Sequence, residues 1–244
     1  MKTTEITIDW LQSSENKFSE FNISIEALNL INKSESLKAE IRAYASSTNT
    51  TRGTLGVNTG VAQYQPAGGE RKGQLQIAAD KFSTAESTFN VLAHELGHFR
   101  VEEPSEVISN ARANAQANGD RQAYEKACNL TEGYAKYSEV VARNELLATN
   151  REQADAEGRS LTTAEQQLED RWTGSRPLRE SQDFQIFKSV TESAGAYGQL
   201  LTPEQIENAV AFALGESNKG NKTSNTLETY LQYWIRESDR VINS

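Results

Sequence analysis

Only two histidines occur among the 244 residues, and they stand four apart as His94 and His98, with Glu95 directly after the first. The stretch 91–99 reads VLAHELGHF, an H-E-x-x-H order that is specific for so short a pattern. On a helix, residues i and i+4 share one face, so both imidazoles can reach a single ion. Glu95 is turned from His94 by about 100° and can reach a water on that ion without itself being a ligand. The chemistry this spacing suits is metal-assisted hydrolysis. A zinc ion acidifies a water and polarises a carbonyl, and the carboxylate takes the water's proton and returns it to the leaving amine. The competing reading is a surface helix with two ordinary histidines.

The flanking residues predict the helix that this arrangement needs. Phe89, Leu92, Leu96 and Phe99 repeat at 3–4–3 spacing, an apolar stripe roughly opposite the two histidines. Ser83 with Glu86 three residues on reads as a capping box, placing the helix start near Thr84. Gly97 leaves room for another backbone to approach the imidazole face.

Composition bounds the partners. The net charge is −9 and no basic cluster exceeds two residues, which argues against a nucleic-acid partner. The single Cys128 excludes an internal disulfide, so packing must hold the fold. No run of 18 apolar residues is present, so no membrane span is expected. The opening MKTTEITIDW lacks the apolar core of a signal peptide. A chain made in the cytoplasm is expected, with export left to a machine that needs no such signal.

Along the chain, Glu5–Leu11 alternates Ile6, Ile8 and Trp10 with polar residues, a strand pattern. Residues 25–45 predict a helix broken near Lys33–Ser36. Thr54–Tyr64 predicts a strand, residues 65–73 a turn, and Gln74–Ala79 a half-exposed strand, read as a sheet edge. After the histidine helix, Pro104 opens a helix to about Asn118, closed by Gly119. A long helix follows from Arg121 to about Glu152, with Leu130, Tyr134, Tyr137 and Val141 as its packing stripe. Asp155–Ser160 is a predicted loop, and Thr162 with Glu165 caps a short helix ending near Trp172. Helices are predicted over 183–201, 202–214 and 227–242, with 215–226 a polar linker. Strands therefore crowd into the first eighty residues, and all that follows the motif reads as helical.

Catalytic zinc usually takes three protein ligands and keeps one position for water. No third histidine exists, so the H-E-x-x-H-x-x-G-x-x-H family is excluded and the third ligand must be Glu, Asp or Cys. Three candidates stand: Glu132, Cys128 one turn earlier, and Asp120. Against all of them, Glu125, Glu132 and Glu139 share one helix stripe, and Glu132–Lys136 and Glu139–Arg143 have the order of solvent-exposed pairs.

HELGH (94–98) followed by LTEGYAKY (130–137) resembles the gluzincin metallopeptidases, over roughly residues 83–137. The resemblance implies one zinc ion per chain on His94, His98 and Glu132, with Glu95 as general base. Many gluzincins carry an Asp four residues after the third ligand to orient a histidine; Lys136 stands there, leaving that role unassigned. With no further histidine to stabilise the oxyanion, a Tyr or Arg must do so, and Tyr134, Tyr137 and Tyr197 are candidates.

The implied fold is α+β and zincin-like. A small N-terminal sheet lobe, residues 1–100, ends in the HExxH helix, and a mainly helical lobe, 101–244, supplies the third ligand. In zincins the edge strand before the motif helix pairs with extended substrate, and the alternation of Gln74–Ala79 suits that role. The expected activity is zinc-dependent hydrolysis of peptide bonds in a peptide or protein substrate. Two other functions fit the motif: a zinc amidase acting on cell-wall peptides, and a zinc-binding, non-proteolytic interaction domain. A compact, histidine-poor, signal-less zincin also resembles the metallopeptidase toxin or effector domains of bacterial secretion systems, by analogy of fold. Secretion machinery or an immunity protein would then be a partner.

Overall fold

The computed structural model describes residues 4–56, 62–67, 71–102, 113–114, 117–174, 221–223 and 226–228. Side chains at 101–102, 121–134, 136, 171, 173–174, 221–223 and 226–228 are outside the description. The elements in order are α1 (Ile8–Gln12), α2 (Ile25–Asn32), α3 (Glu35–Ser46), β1 (Thr54–Gly56), β2 (Ala62–Gln65), β3 (Gln74–Ala78), a 3₁₀ turn (Ala79–Phe82) and α4 (Ala85–Glu102). Then come α5 (Arg121–Ala156), α6 (Thr163–Gly174), β4 (Asn221–Thr223) and β5 (Thr226–Glu228). The architecture is mixed α+β.

The strand predicted over Glu5–Leu11 is instead the short helix α1. Thr7 caps it, its side chain accepting from the backbone N–H of Trp10, and Asp9 sits in the first turn, where acidic residues are favoured. Asn32 occupies the backbone of Ile6 from both sides, accepting its N–H and donating to its carbonyl, each at 2.8 Å. A side chain thus satisfies the groups that a neighbouring strand would have bonded.

The break predicted near Lys33–Ser36 separates α2 from α3. Ser34 caps α3 by accepting from Leu37 N–H at 3.1 Å. Glu145, on α5, accepts from Ser36 N–H and from the Ser34 hydroxyl, both at 2.8 Å. A carboxylate at a helix N-terminus also meets the positive end of the helix dipole. The α2–α3 junction is therefore a docking point for α5.

The three-stranded sheet has the order β1–β3–β2, with β1 parallel and β2 antiparallel to β3. The alternation expected of β3 holds: Leu75 and Ile77 are buried and the glutamines half-exposed. On the polar face Gln63 and Gln65 each donate to Gln76 Oε1 at 2.9 Å. The expectation of an edge strand is overturned, because β3 is central and hydrogen-bonded on both sides; among the described residues the edges are β1 and β2.

The chain divides into two compact units, Met1–Glu103 with Ser138–Ser175, and Pro104–Tyr137 with Arg176–Ser244. The first holds the sheet, α1 to α4, the C-terminal part of α5, and α6. Its core joins Phe18, Ile31, Leu37, Ile41, Tyr44, Leu75, Ile77, Phe89 and Leu92. Of the stripe expected on the long helix, Tyr137 is buried and Val141 half-buried. Its core side chains here are Ala142, Leu146 and Leu147. In the second unit, β4 and β5 pair antiparallel in the register Asn221↔Glu228 and Thr223↔Thr226. These strands replace the predicted linker at 221–223 and 226 and the predicted helix at Leu227 and Glu228; the remainder of both, 215–220, 224–225 and 229–242, lies outside the described residues. Helices predicted over 104–118, 183–201 and 202–214 lie wholly or largely outside the described residues. Gly119, expected to close the first of these, has φ 64°, a conformation glycine adopts without strain. Among the described residues no helix is long and apolar enough to cross a membrane.

Candidate metal centre

Helix α4 carries His94, Glu95 and His98, and its burial follows from the apolar stripe. Phe89, Leu92, Leu96 and Phe99 are all buried. Each such side chain stabilises by about 2 kcal/mol when removed from water, so packing, more than local propensity, fixes this helix. Phe99 meets Tyr44 of α3 and Tyr64 of β2 edge-on, at centroid distances of 5.3 and 5.7 Å. The residue next to His98 is thereby anchored to both layers.

The helix start is shifted by one residue from the predicted box. Thr84 is the cap: its hydroxyl accepts from Ser87 N–H at 3.0 Å and its carbonyl from Thr88 N–H at 3.0 Å. Glu86, expected to close a box with Ser83, accepts instead from the indole N–H of Trp172 at 2.7 Å. Both Ser83 and Thr84 are good caps, and the long-range demand of Trp172 on Glu86 lies outside any local pattern.

The two imidazoles stand side by side on α4, ring centroids 5.0 Å apart and planes at 81°. Both are half-buried, whereas Glu95 and Gly97 are buried. Two imidazoles one turn apart suit the tetrahedral N-donor chemistry of zinc. Among the described residues no three His, Cys, Asp or Glu side chains converge as a metal would require. Glu132, Cys128 and Tyr134 belong to α5, but their side chains lie outside the described ones, and Tyr197 lies wholly outside the described residues. Asp120 is exposed just before α5, and Tyr137 is buried on it.

One residue of the site escaped the sequence reading. Glu139, expected on a solvated acidic face, is buried, and its Oε2 lies 3.5 Å from His94 Nδ1. Its other oxygen takes the guanidinium of Arg143, so the predicted Glu139–Arg143 pair forms, but turned inward. Arg143 Nε also donates to Asn90 Oδ1 at 2.9 Å, and the guanidinium carbon lies 5.3 Å from the Trp172 ring centroid. Asn90 and His94 are one turn apart on α4, as Glu139 and Arg143 are on α5, so two i,i+4 pairs face each other in antiparallel sense. The only signal in sequence was the i,i+4 spacing, which an exposed pair shares. A second buried carboxylate, Glu40 of α3, accepts from Ser138 at 3.3 Å and lies 3.9 Å from Arg100.

Comparison of the chain with protein-family profiles, with curated proteins and with solved structures finds no match in any of the three.

Proposed function

We propose that this protein is a zinc-dependent metallopeptidase in which His94 and His98 hold the ion and Glu95 is the general base. The observation that carries the reading is the pair of adjacent imidazoles on a helix whose opposite stripe is buried, with the carboxylate between them in sequence. The donor chemistry suits zinc, which when bound would acidify a water and polarise the scissile carbonyl. Glu95 would receive the proton of that water and return it to the leaving amine.

Two imidazoles leave a third protein ligand to be found. The proposal places Glu132 in that role, on the resemblance of LTEGYAKY to the gluzincin stretch. A peptide substrate would then pair with an edge of the small sheet, β1 or β2, since β3 is already paired on both sides.

The test is Glu95→Gln, with zinc content and peptide turnover measured on one preparation. Zinc retained at wild-type stoichiometry with turnover lowered by about 10²-fold or more is the expected result, from the scale of general-base catalysis. Wild-type turnover in the variant removes Glu95 from the mechanism, and a wild-type protein that binds no zinc removes the proposal.

A further inference from the structure

An imidazole can offer a cation only one nitrogen, and the partner of the other nitrogen decides which. His94 turns Nδ1 toward Glu139 Oε2 at 3.5 Å, a small side-chain adjustment longer than a hydrogen bond. Glu139 is buried, its side chain 8% exposed, so it stands beside the ring without bulk water between. A buried carboxylate needs compensation. Arg143 supplies it at Oε1 and is itself held by Asn90 and the Trp172 ring. One oxygen of Glu139 is thus paired with Arg143 while the other stands 3.5 Å from His94 Nδ1.

We propose that Glu139 is the positioning residue for His94: it holds the proton on Nδ1 and so leaves Nε2 as the nitrogen a metal could take. This rests on the zinc-site reading above. Glu139 touches neither metal nor substrate in this role and acts only through the ring.

The chain's two histidines simplify the test, because the ¹⁵N spectrum of the histidine-labelled 244-residue chain contains two rings, assigned with a His98→Gln variant. The spectrum is taken without metal, at a pH where both rings are neutral. Wild-type His94 is expected as the Nδ1–H tautomer. Glu139→Ala is expected to return it toward the Nε2–H form that free imidazole prefers, whereas Glu139→Gln, which keeps an acceptor oxygen, retains Nδ1–H in part. An Nε2–H tautomer in the wild type overturns the proposal without any variant, and so does an unchanged tautomer in a folded Glu139→Ala protein. Zinc titration separates the neighbouring possibilities. Glu139→Ala should weaken zinc about 10- to 100-fold, the range for such supporting partners. Loss as complete as that in His94→Ala would make Glu139 a ligand and overturn the positioning role. A wild type that binds no zinc while His94 holds Nδ1–H refutes the zinc reading and leaves the Glu139 contact standing.

Discussion

Trp172 donates its indole N–H to Glu86 Oε1 at 2.7 Å, so the last turn of α6 is tied to the first turn of the histidine helix. The same ring stacks on Phe89 at 5.6 Å and 26° and lies beneath the Arg143 guanidinium. One side chain therefore joins the start of α4, the cation that holds Glu139, and the C-terminal end of α6.

Replacing Trp172 separates these contributions. Trp172→Phe keeps an aromatic ring on Phe89 and removes the N–H donor to Glu86. A hydrogen bond to a charged group contributes about 1.5–3 kcal/mol, and partial exposure of Trp172 places the expected loss near the lower end. Trp172→Ala also removes the packing and should cost about 3 kcal/mol or more. Urea unfolding of the three proteins measures both, and equal stability of Trp172→Phe and wild type would show that Glu86 gains nothing from the indole.

Tyr44 offers a second test, on the link between helices and sheet. It is fully buried, donates to the Thr51 carbonyl at 2.8 Å and accepts from Leu75 N–H at 2.9 Å. Tyr44→Phe preserves the ring contacts with Phe18 and Phe99 but removes the hydrogen bonds to Thr51, before β1, and from Leu75, in β3. A buried group deprived of its partner costs about 1–3 kcal/mol. The unfolding midpoint should fall accordingly with little change in the denaturant slope; an unchanged midpoint would mean that water replaces the phenol.

Much of this arrangement was legible in the sequence where the signal was local or periodic. The Phe89–Phe99 stripe, the Ser34 break, the alternation of β3 and the Thr162–Glu165 box, whose backbone bonds run both ways, each need only near neighbours. What failed depended on distant partners. Thr7 starts a helix because Asn32, 26 residues beyond Ile6, satisfies the Ile6 backbone. Glu139 is buried beside His94 and paired with Arg143, and its spacing alone matches a solvated pair. Whether β3 was central or an edge turned on which strands flank it, and an alternating pattern does not encode that.

The α5–α6 connection carries an acid-sensitive contribution. Hydrogen bonds from Arg159, then from the Thr162 backbone N–H, pull the Glu165 carboxyl from 4.5 down to about 2. A carboxyl depressed in the folded state stabilises it above the unfolded value, and that stability is lost as pH falls from about 4.5 toward 2. Glu165→Gln keeps the capping geometry and removes the charge. The variant should be less stable than wild type by up to about 1 kcal/mol at pH 7, the scale of an exposed ion pair. The difference should shrink through that acid window and vanish only below about pH 2. A difference constant from pH 7 to pH 2 would assign the effect to the cap and not to the charge.

The third ligand is the prediction on which the zinc-site reading turns. Two imidazoles alone hold zinc weakly, and a carboxylate from α5 would complete a three-ligand set with one position left for water. Glu132→Ala should lower zinc affinity by at least about tenfold, since even supporting contacts are felt at that scale. A ligand that binds only the folded state raises its stability, so the variant should also lose most of the melting-temperature gain that zinc gives the wild type. Glu125→Ala, on the same helix stripe, is the control and should do much less. Glu139→Ala cannot serve as one, because Glu139 is buried beside His94. Cys128→Ser and Asp120→Asn complete the set, each removing the other donor types that a zinc ion would accept. Titrating zinc into the metal-free form of every variant decides among them. If Glu132→Ala binds as wild type does while Cys128→Ser or Asp120→Asn fails, the gluzincin pattern does not apply and the failing residue is the ligand.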